Sequence, residues 1–155
     1  MTIEQQLAIQ ELNARYVDAI DDDRLEEWPE LFRNDGRYFV TTAENVSQGL
    51  PIGLISATSR AMLRDRIKAL RHANVYEAQR YRHILGTPRI VAENGEIRAR
   101  TSFMIARIMH TGETMLFATG RYEDRVVFGD NGAVFVEKRV ILDSRLIDTL
   151  LAIPL

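Results

Sequence analysis

The sequence predicts an α+β fold in which three helices precede a long-stranded antiparallel sheet. In the first half, apolar residues recur at helical spacing in three segments. In the second half, long stretches alternate apolar and polar residues between tight turns. Helices followed by a run of strands are typical of the α+β class. Gly86 and Gly120 lie inside long predicted strands and would let the sheet curve strongly around its helices.

The first predicted helix begins after Thr2, which forms a capping-box pattern with Gln5. The acidic run 21–23 should end this helix. Its apolar face is formed by Ile9, Leu12, Tyr16, Ala19 and Ile20.

A second, shorter helix is predicted from near Asp23, where Glu26 would complete another capping box. Pro29 should distort this segment because proline removes one helical hydrogen bond. Large aromatic residues usually fill a core. Those expected in the core are Trp28, Tyr38, Phe39 and Phe103.

The segment that follows contains a predicted turn at 34–36, a strand at 37–42 and a loop at 43–55. A third helix is predicted over 58–73, and Asn74 is placed to stop it.

The second half predicts a meander of strands. They cover residues 82–92, 96–110, 114–128 and 133–142. The first strand should be interrupted near Gly86 and Pro88. The dipeptide at 94–95, Asn-Gly, is a strong hairpin signal, and further turns are predicted at 111–112 and 129–132.

Composition excludes several classes of protein. The 155 residues fit a single domain spanning 1–155, and a formal net charge of −2 disfavours nucleic-acid binding. We expect no secretory signal, no membrane span and a cytoplasmic location, because no basic start with an apolar run and no long apolar stretch is present. The chain has no cysteine, which excludes a disulfide scaffold, a thiol nucleophile and an iron–sulfur cluster held by this chain.

The three histidines are not spaced for a shared metal site. His72, in the last turn of the third predicted helix, should interact with the free carbonyls there. His83 would make a structural or interface hydrogen bond, or act as a general base. His110, beside a turn, should be exposed.

Charge is distributed unevenly along the chain. Residues 18–35 contain eight acids and two bases, whereas residues 60–82 contain seven bases and two acids. Such runs are usually solvated faces. The alternative is that they are complementary patches meeting across a subunit boundary.

Several motifs, taken in order, resemble one family. They are the sequences at 28–32 (WPELF), 35–38 (DGRY), 80–86 (RYRHILG), 117–124 (FATGRYED), 138–144 (KRVILDS) and 148–155 (DTLLAIPL). Over nearly the whole chain the sequence resembles the small (beta) subunits of aromatic-ring-hydroxylating dioxygenases. Its ending looks especially like those of the terephthalate and related aromatic-carboxylate dioxygenases.

The resemblance implies a cone-shaped α+β fold, shared with scytalone dehydratase and ketosteroid isomerase, with N-terminal helices packed in a strongly curved antiparallel sheet. It implies a non-catalytic subunit that carries no cofactor. A Rieske [2Fe–2S] cluster and a mononuclear Fe(II) would lie in a large (alpha) subunit. Three copies of each would form a hexamer on a beta trimer, and the substrate would be an aromatic compound, with an aromatic carboxylate as the expectation. The lack of cysteine agrees, since a Rieske centre needs two cysteines and two histidines.

Arg80, Arg82 and His83 are the candidate subunit-interface residues. Alternation along a strand would place Arg80 and Arg82 on one side, with Tyr81 and His83 on the other. Carboxylates of a neighbouring subunit could then meet the two guanidinium groups. An internal salt bridge is the alternative.

A different function stays open at this point. Related cone folds carry out catalysis with Tyr, Asp and His side chains. The chain could therefore be a stand-alone, cofactor-free dehydratase, isomerase or hydrolase, or a protein that binds small molecules in the cone. The candidate pocket residues are Tyr16, Tyr38 and His83, with Asp35 as a further acid or base.

Overall fold

The computed structural model of the chain describes residues 1–51, 53–72, 77–146 and 153–155. The helices are α1 (Ile3–Asp21), α2 (Ala43–Ser47) and α3 (Arg60–His72), with two 3₁₀ turns at Leu25–Glu27 and Pro29–Leu31. The strands are β1 (Phe32–Thr42), β2 (Ile55–Ala57), β3 (Gln79–Leu85), β4 (Arg89–Glu93), β5 (Glu96–Met109), β6 (Thr114–Gly129) and β7 (Gly132–Leu142). Among the described residues, no helix is both long enough and apolar enough to span a membrane.

Helix α1 begins and packs as its sequence predicts. The backbone N–H of Gln5 donates to the Thr2 hydroxyl at 3.1 Å, and the Gln5 side chain accepts from the Thr2 N–H at 3.0 Å. This reciprocal capping box satisfies two of the donors that a helix start leaves free. The predicted apolar face is buried: Ile9, Leu12, Tyr16, Ala19 and Ile20.

The predicted second helix is replaced by the two 3₁₀ turns, because Pro29 interrupts the backbone bonding. Strand β1 then starts earlier than predicted and includes residues 34–36. Its register on β7 shifts between Phe32 and Arg37, so this stretch is a bulge. A Cβ at Gly36 would lie 2.8 Å from the Arg33 carbonyl oxygen, which explains the glycine at the bulge.

The predicted loop 43–55 contains a short helix and the start of a strand. The hydroxyl of Thr42 accepts from the N–H of Asn45 at 3.2 Å and caps α2. Strand β2 begins at Ile55 and pairs with β1. Helix α3 begins two residues later than predicted; Ala73 and the predicted stop at Asn74 lie outside the described residues.

The described strands form one sheet in the order β2-β1-β7-β6-β5-β3, with β4 beside β3 on the same edge of β5. The hairpins are antiparallel as predicted, and Asn94 and Gly95 both have positive φ, as a tight hairpin turn requires. The prediction of a wholly antiparallel sheet is wrong at one place. Strands β1 and β7 are parallel, because β1 comes from the helical half and enters beside the last strand of the meander.

Glycine lets the sheet curve and close over its core. The predicted interruption near Gly86 and Pro88 separates β3 from β4. A Cβ at Gly120 would lie 2.1 Å from the Ile141 carbonyl oxygen, so only glycine fits where β6 meets β7. We call the side of the sheet on which α1 packs the inner face, and the opposite side the outer face.

Candidate functional site

Aromatic rings fill the space between α1 and the inner face. Trp28, Tyr38 and Phe103 are buried, as predicted. Phe39 is only partly buried, because it alternates with Tyr38 and lies on the outer face beside the Arg37 guanidinium. The ring of Tyr16 contacts the ring edges of Tyr122 and Phe135. These rings have further close neighbours in Phe32 and Phe103.

The two tyrosines predicted to line a pocket contact protein backbone instead. The hydroxyl of Tyr16 donates to the backbone oxygen of Leu155, and the N–H of Leu155 donates to the Tyr38 hydroxyl at 3.1 Å. Burial raises the pKa of Tyr38 to about 12 and that of Tyr16 well above its usual value. Both hydroxyls stay protonated, and Leu155, which is fully buried, occupies the space beside them.

A buried ion pair lies deeper on the inner face. The Lys138 ammonium is 3.0 and 3.1 Å from the two carboxylate oxygens of Asp124, and both side chains are fully buried. The same ammonium lies 3.9–4.3 Å from the ring centres of Tyr16, Tyr122 and Phe135. Burial raises the pKa of Asp124 to about 6 and lowers the pKa of Lys138.

This pair was not predicted, although the sequence contains a signal for it. In β6, Asp124 follows Tyr122 at strand spacing, and in β7, Lys138 precedes Val140 in the same way. An inward position for the two apolar residues therefore implies inward positions for the two charges, and the register places Asp124 directly opposite Lys138.

A second buried pair links α1 to the edge strand β3. Asp21 accepts the backbone N–H of His83 at 2.8 Å, and its other oxygen lies 2.6 Å from His83 Nδ1. The side chains are 3% and 0% exposed. Among the described residues, His83 Nε2 has no hydrogen-bond partner. The pair links the end of α1 to β3. This role of Asp21 was not predicted, because Asp21 was interpreted only as part of the acidic run 21–23 that ends the helix.

The structure does not bring the predicted acid–base residues together. Tyr38 contacts Leu155, whereas His83 contacts Asp21. Asp35 is exposed and paired with Arg33, whose guanidinium lowers the pKa of that carboxyl. The interior is thus organised as a packed core at Tyr16 and Tyr38.

The other two histidines lie where predicted. His72 is exposed in the last turn of α3, and His110 is exposed with its Nδ1 3.5 Å from Glu77. In the described ranges, no group of three metal-ligating side chains converges.

The outer face carries the predicted arginine pair. Arg80 and Arg82 are exposed, while Tyr81 and His83 between and beside them are buried, as alternation predicted. His83 is therefore turned away from the surface that the arginines present. Within the described part of the chain, neither Arg80 nor Arg82 has an ion-pair partner, so the alternative of an internal salt bridge is not seen there.

Exposed apolar side chains surround these arginines. Ile84, next on the outer side of β3, is 63% exposed and lies opposite Met104, which is 49% exposed. Arg82 lies opposite Ala106, and Ala106 lies opposite Leu116, which is 57% exposed. We call Arg80, Arg82, Ile84, Met104 and Leu116 the outer patch.

The acidic and basic runs of the sequence meet inside one chain. Arg71 of α3 lies 2.8 Å from both Asp23 and Glu26, and Arg64 lies 2.7 Å from Glu30. These contacts place the two runs side by side on the surface of the same chain. Arg64 and Arg71 are therefore paired within the chain, and a contact across a subunit boundary is not needed to explain them.

The sequence and fold match known proteins over most of their length. Residues 1–139 match the family model described as a SnoaL-like domain. The chain is 46% identical over 151 residues to the terephthalate 1,2-dioxygenase terminal oxygenase component subunit beta 2 of Comamonas sp, covering 97% of this chain and 98% of that one. It is 41% identical over 145 residues to the anthranilate 1,2-dioxygenase small subunit of Burkholderia cepacia, covering 93% and 90%.

A solved structure gives the same result. The chain superposes with a TM-score of 0.87 and 38% identity on a protein of Novosphingobium aromaticivorans assigned as the beta subunit of an aromatic-ring-hydroxylating dioxygenase. The match covers 97% of this chain and 96% of that chain. The predicted family resemblance and cone-type α+β fold are confirmed.

Proposed function

The chain belongs to the SnoaL-like domain family and to the small (beta) subunits of aromatic-ring-hydroxylating dioxygenases, and from this membership we propose that it supports the assembly of an iron-containing large (alpha) subunit. The observation that carries this proposal is the 46% identity to a terephthalate dioxygenase beta subunit over almost the full length of both chains. The role is structural, and the chemistry belongs to the partner.

The chain's own residues do not fit the iron centres of such an enzyme. A Rieske cluster takes two cysteines and two histidines, and this chain has no cysteine. His83 is engaged with Asp21 in the interior, whereas His72 and His110 lie on the surface. The Rieske [2Fe–2S] cluster and the mononuclear Fe(II) are accordingly assigned to the large subunit.

The substrate class proposed is an aromatic carboxylate. Terephthalate and anthranilate, which name the relatives, both carry a carboxylate on an aromatic ring. The substrate would bind in the large subunit, because Leu155 and the surrounding rings fill the interior beside Tyr16 and Tyr38. We also propose that the complex lies in the cytoplasm, because a reducing compartment keeps the cysteine ligands of the large subunit's Rieske cluster reduced. Cell fractionation tests this location.

We propose that the small chains form a homotrimer on which three large subunits assemble. Arg80 and Arg82 have no ion-pair partner among the described residues, and they support this proposal because arginine beside apolar side chains is a composition that protein interfaces favour. His83 contributes from the interior: its contacts with Asp21 hold β3, which presents both arginines, against α1.

Co-expression with a large subunit of the C-x-H…C-x-x-H Rieske type tests the proposal. We expect the two chains to co-purify in equal amounts as a species larger than either alone. Elemental analysis should find iron in the complex and no stoichiometric iron or zinc in the isolated small chain. A large subunit that is folded and active without this chain, or metal that stays in the isolated chain after chelation, would contradict it.

A cofactor-free acid–base enzyme is the second candidate, and the Asp21–His83 pair is the observation that favours it. The carboxylate orients the ring, and Nε2 is left without a described partner, as in a general base. His83 also borders a groove of about 510 Å³ between α1 and β3. The test is an assay of the isolated, iron-free chain and of its His83→Gln variant on aromatic hydroxy and keto compounds that a dehydratase or isomerase would convert. Turnover that the variant loses would favour chemistry at His83, and no turnover by the wild type would contradict this candidate.

A further inference from the structure

We propose that Arg80 and Arg82 of one copy contact the outward side of α1 in a second copy, in a head-to-tail interface between identical chains. The inference rests on the homotrimer of the proposed function and names the surfaces that form it. It comes from charged side chains that have no ion-pair partner in the part of the chain that the structure describes.

The basic side of this interface is the outer patch. Its two arginines follow each other on the outer side of β3, about 7 Å apart at strand spacing. Its apolar members lie directly beside them in the register of β3, β5 and β6. Arginine and methionine beside aliphatic side chains is a composition that protein interfaces favour.

The acidic side is the solvent-facing stripe of α1. Glu4, Glu11 and Asp18 are spaced by seven residues, so they lie along one side of the helix. All three are exposed, and none has an ion-pair partner within the described ranges. Ile3 and Leu7 lie next to this stripe and are 72% and 57% exposed. The stripe thus combines carboxylates with apolar side chains, as the outer patch combines guanidinium groups with them.

The spacing of the charges also agrees. Glu11 and Asp18 are about 10 Å apart along the helix, at 1.5 Å rise per residue. Arginine side chains are long and flexible enough to span the difference between this spacing and that of Arg80 and Arg82. Charge-assisted hydrogen bonds between the two sets are therefore geometrically accessible.

The two surfaces cannot meet within one chain. Helix α1 packs on the inner face, where Tyr16 contacts Tyr122, whereas Arg80 and Arg82 project from the outer face. Their contact requires a second copy. Because the two surfaces differ, the contact is head-to-tail, and such contacts close into rings when the rotation between copies permits. In a ring of three copies, the outer patch of each copy would contact the α1 stripe of its neighbour.

Charge reversal tests the interface on the full chain. One variant carries Glu11→Arg with Asp18→Arg, a second carries Arg80→Glu with Arg82→Glu, and a third combines all four changes. We expect each reversed pair to raise the concentration at half assembly by about a hundredfold or more, because like charges then face each other. The combined variant should recover most of the wild-type assembly. Light scattering over a concentration series gives the readout.

Asp130→Arg is the control, since this exposed acid lies in the β6–β7 turn and belongs to neither surface. If a reversed pair loses its melting transition, the corresponding pair of alanine substitutions replaces it under the same criteria. Reversed pairs that assemble like the control, or a combined variant no better than the pairs, would overturn the interface while leaving the homotrimer intact. A monomeric wild type would overturn both, and co-purification with the large subunit tests the rest separately.

Discussion

The inner face of the sheet and the outer patch differ in how their charges are paired. On the inner face, two buried pairs are formed within the chain: Asp124 with Lys138, and Asp21 with His83. On the outer face, Arg80 and Arg82 have no described partner, and apolar side chains are exposed beside them. A change on the inner face should therefore affect folding, and a change in the outer patch should affect association.

The largest expected effect comes from breaking the Asp124–Lys138 pair on one side only. Lys138→Met leaves a buried carboxylate without a counter-charge and should lower the free energy of unfolding by about 3–5 kcal/mol. Replacing both partners, Asp124→Leu with Lys138→Met, should leave stability unchanged or raise it by about 1–4 kcal/mol. Urea denaturation measures both. A double variant as unstable as the single one would show that the pair itself, rather than its disruption, matters.

Gly120 tests how tightly the inner face closes. Gly120→Ala places a methyl group 2.1 Å from a backbone oxygen of β7, which cannot move away without disturbing the sheet. We expect the free energy of unfolding to fall by about 1–3 kcal/mol. Gly129→Ala is the matched control, because its nearest contact would be 3.8 Å, and its effect should stay within about 0.5 kcal/mol. Equal effects would contradict the close approach at Gly120.

The sequence predicts features that depend on neighbouring residues. The capping box of α1, its apolar stripe and the Asn94–Gly95 hairpin all follow from local spacing. The parallel pairing of β1 with β7 could not be predicted, because it joins segments about a hundred residues apart. Asp21 was missed for the same reason: within an acidic run it resembles a surface residue, and only His83, 62 residues away, distinguishes it.

The free energy of unfolding should depend on pH because Asp124 is buried. Its pKa in the folded state is raised to about 6, above the unfolded value of 3.8. Such a group favours folding below its unfolded pKa, and this contribution is lost as the pH rises through about 6. The lowered pKa of Lys138 has the opposite sign: its contribution is complete above the unfolded value of 10.5 and is lost as the pH falls through the lowered folded value.

Between about pH 4 and pH 7, the free energy of unfolding of the wild type should therefore fall relative to that of Asp124→Leu with Lys138→Met. Taking the difference between the two proteins at each pH cancels the titration of the surface groups that they share. A difference that is flat, or that rises with pH, would contradict a net cost of ionising the carboxylate, because the titration of Lys138 would then equal or outweigh that of Asp124.

The smallest effect on folding is expected from Arg82→Ala, and it separates the two faces most directly. The side chain is exposed and has no described partner. The free energy of unfolding of the monomer should therefore change by no more than about 0.5 kcal/mol. Assembly should nevertheless weaken, by roughly 2–5 kcal/mol if a carboxylate of the neighbouring copy loses its partner in a desolvated contact. Arg98→Ala is the control, since this exposed arginine of the outer face pairs with Glu96 of its own chain and should affect assembly little. Light scattering and thermal denaturation on the same samples give both quantities. A destabilised Arg82→Ala protein that still assembles fully would show that this arginine stabilises the fold. The outer side of β3 would then contribute to folding, as the inner face does, and not to association.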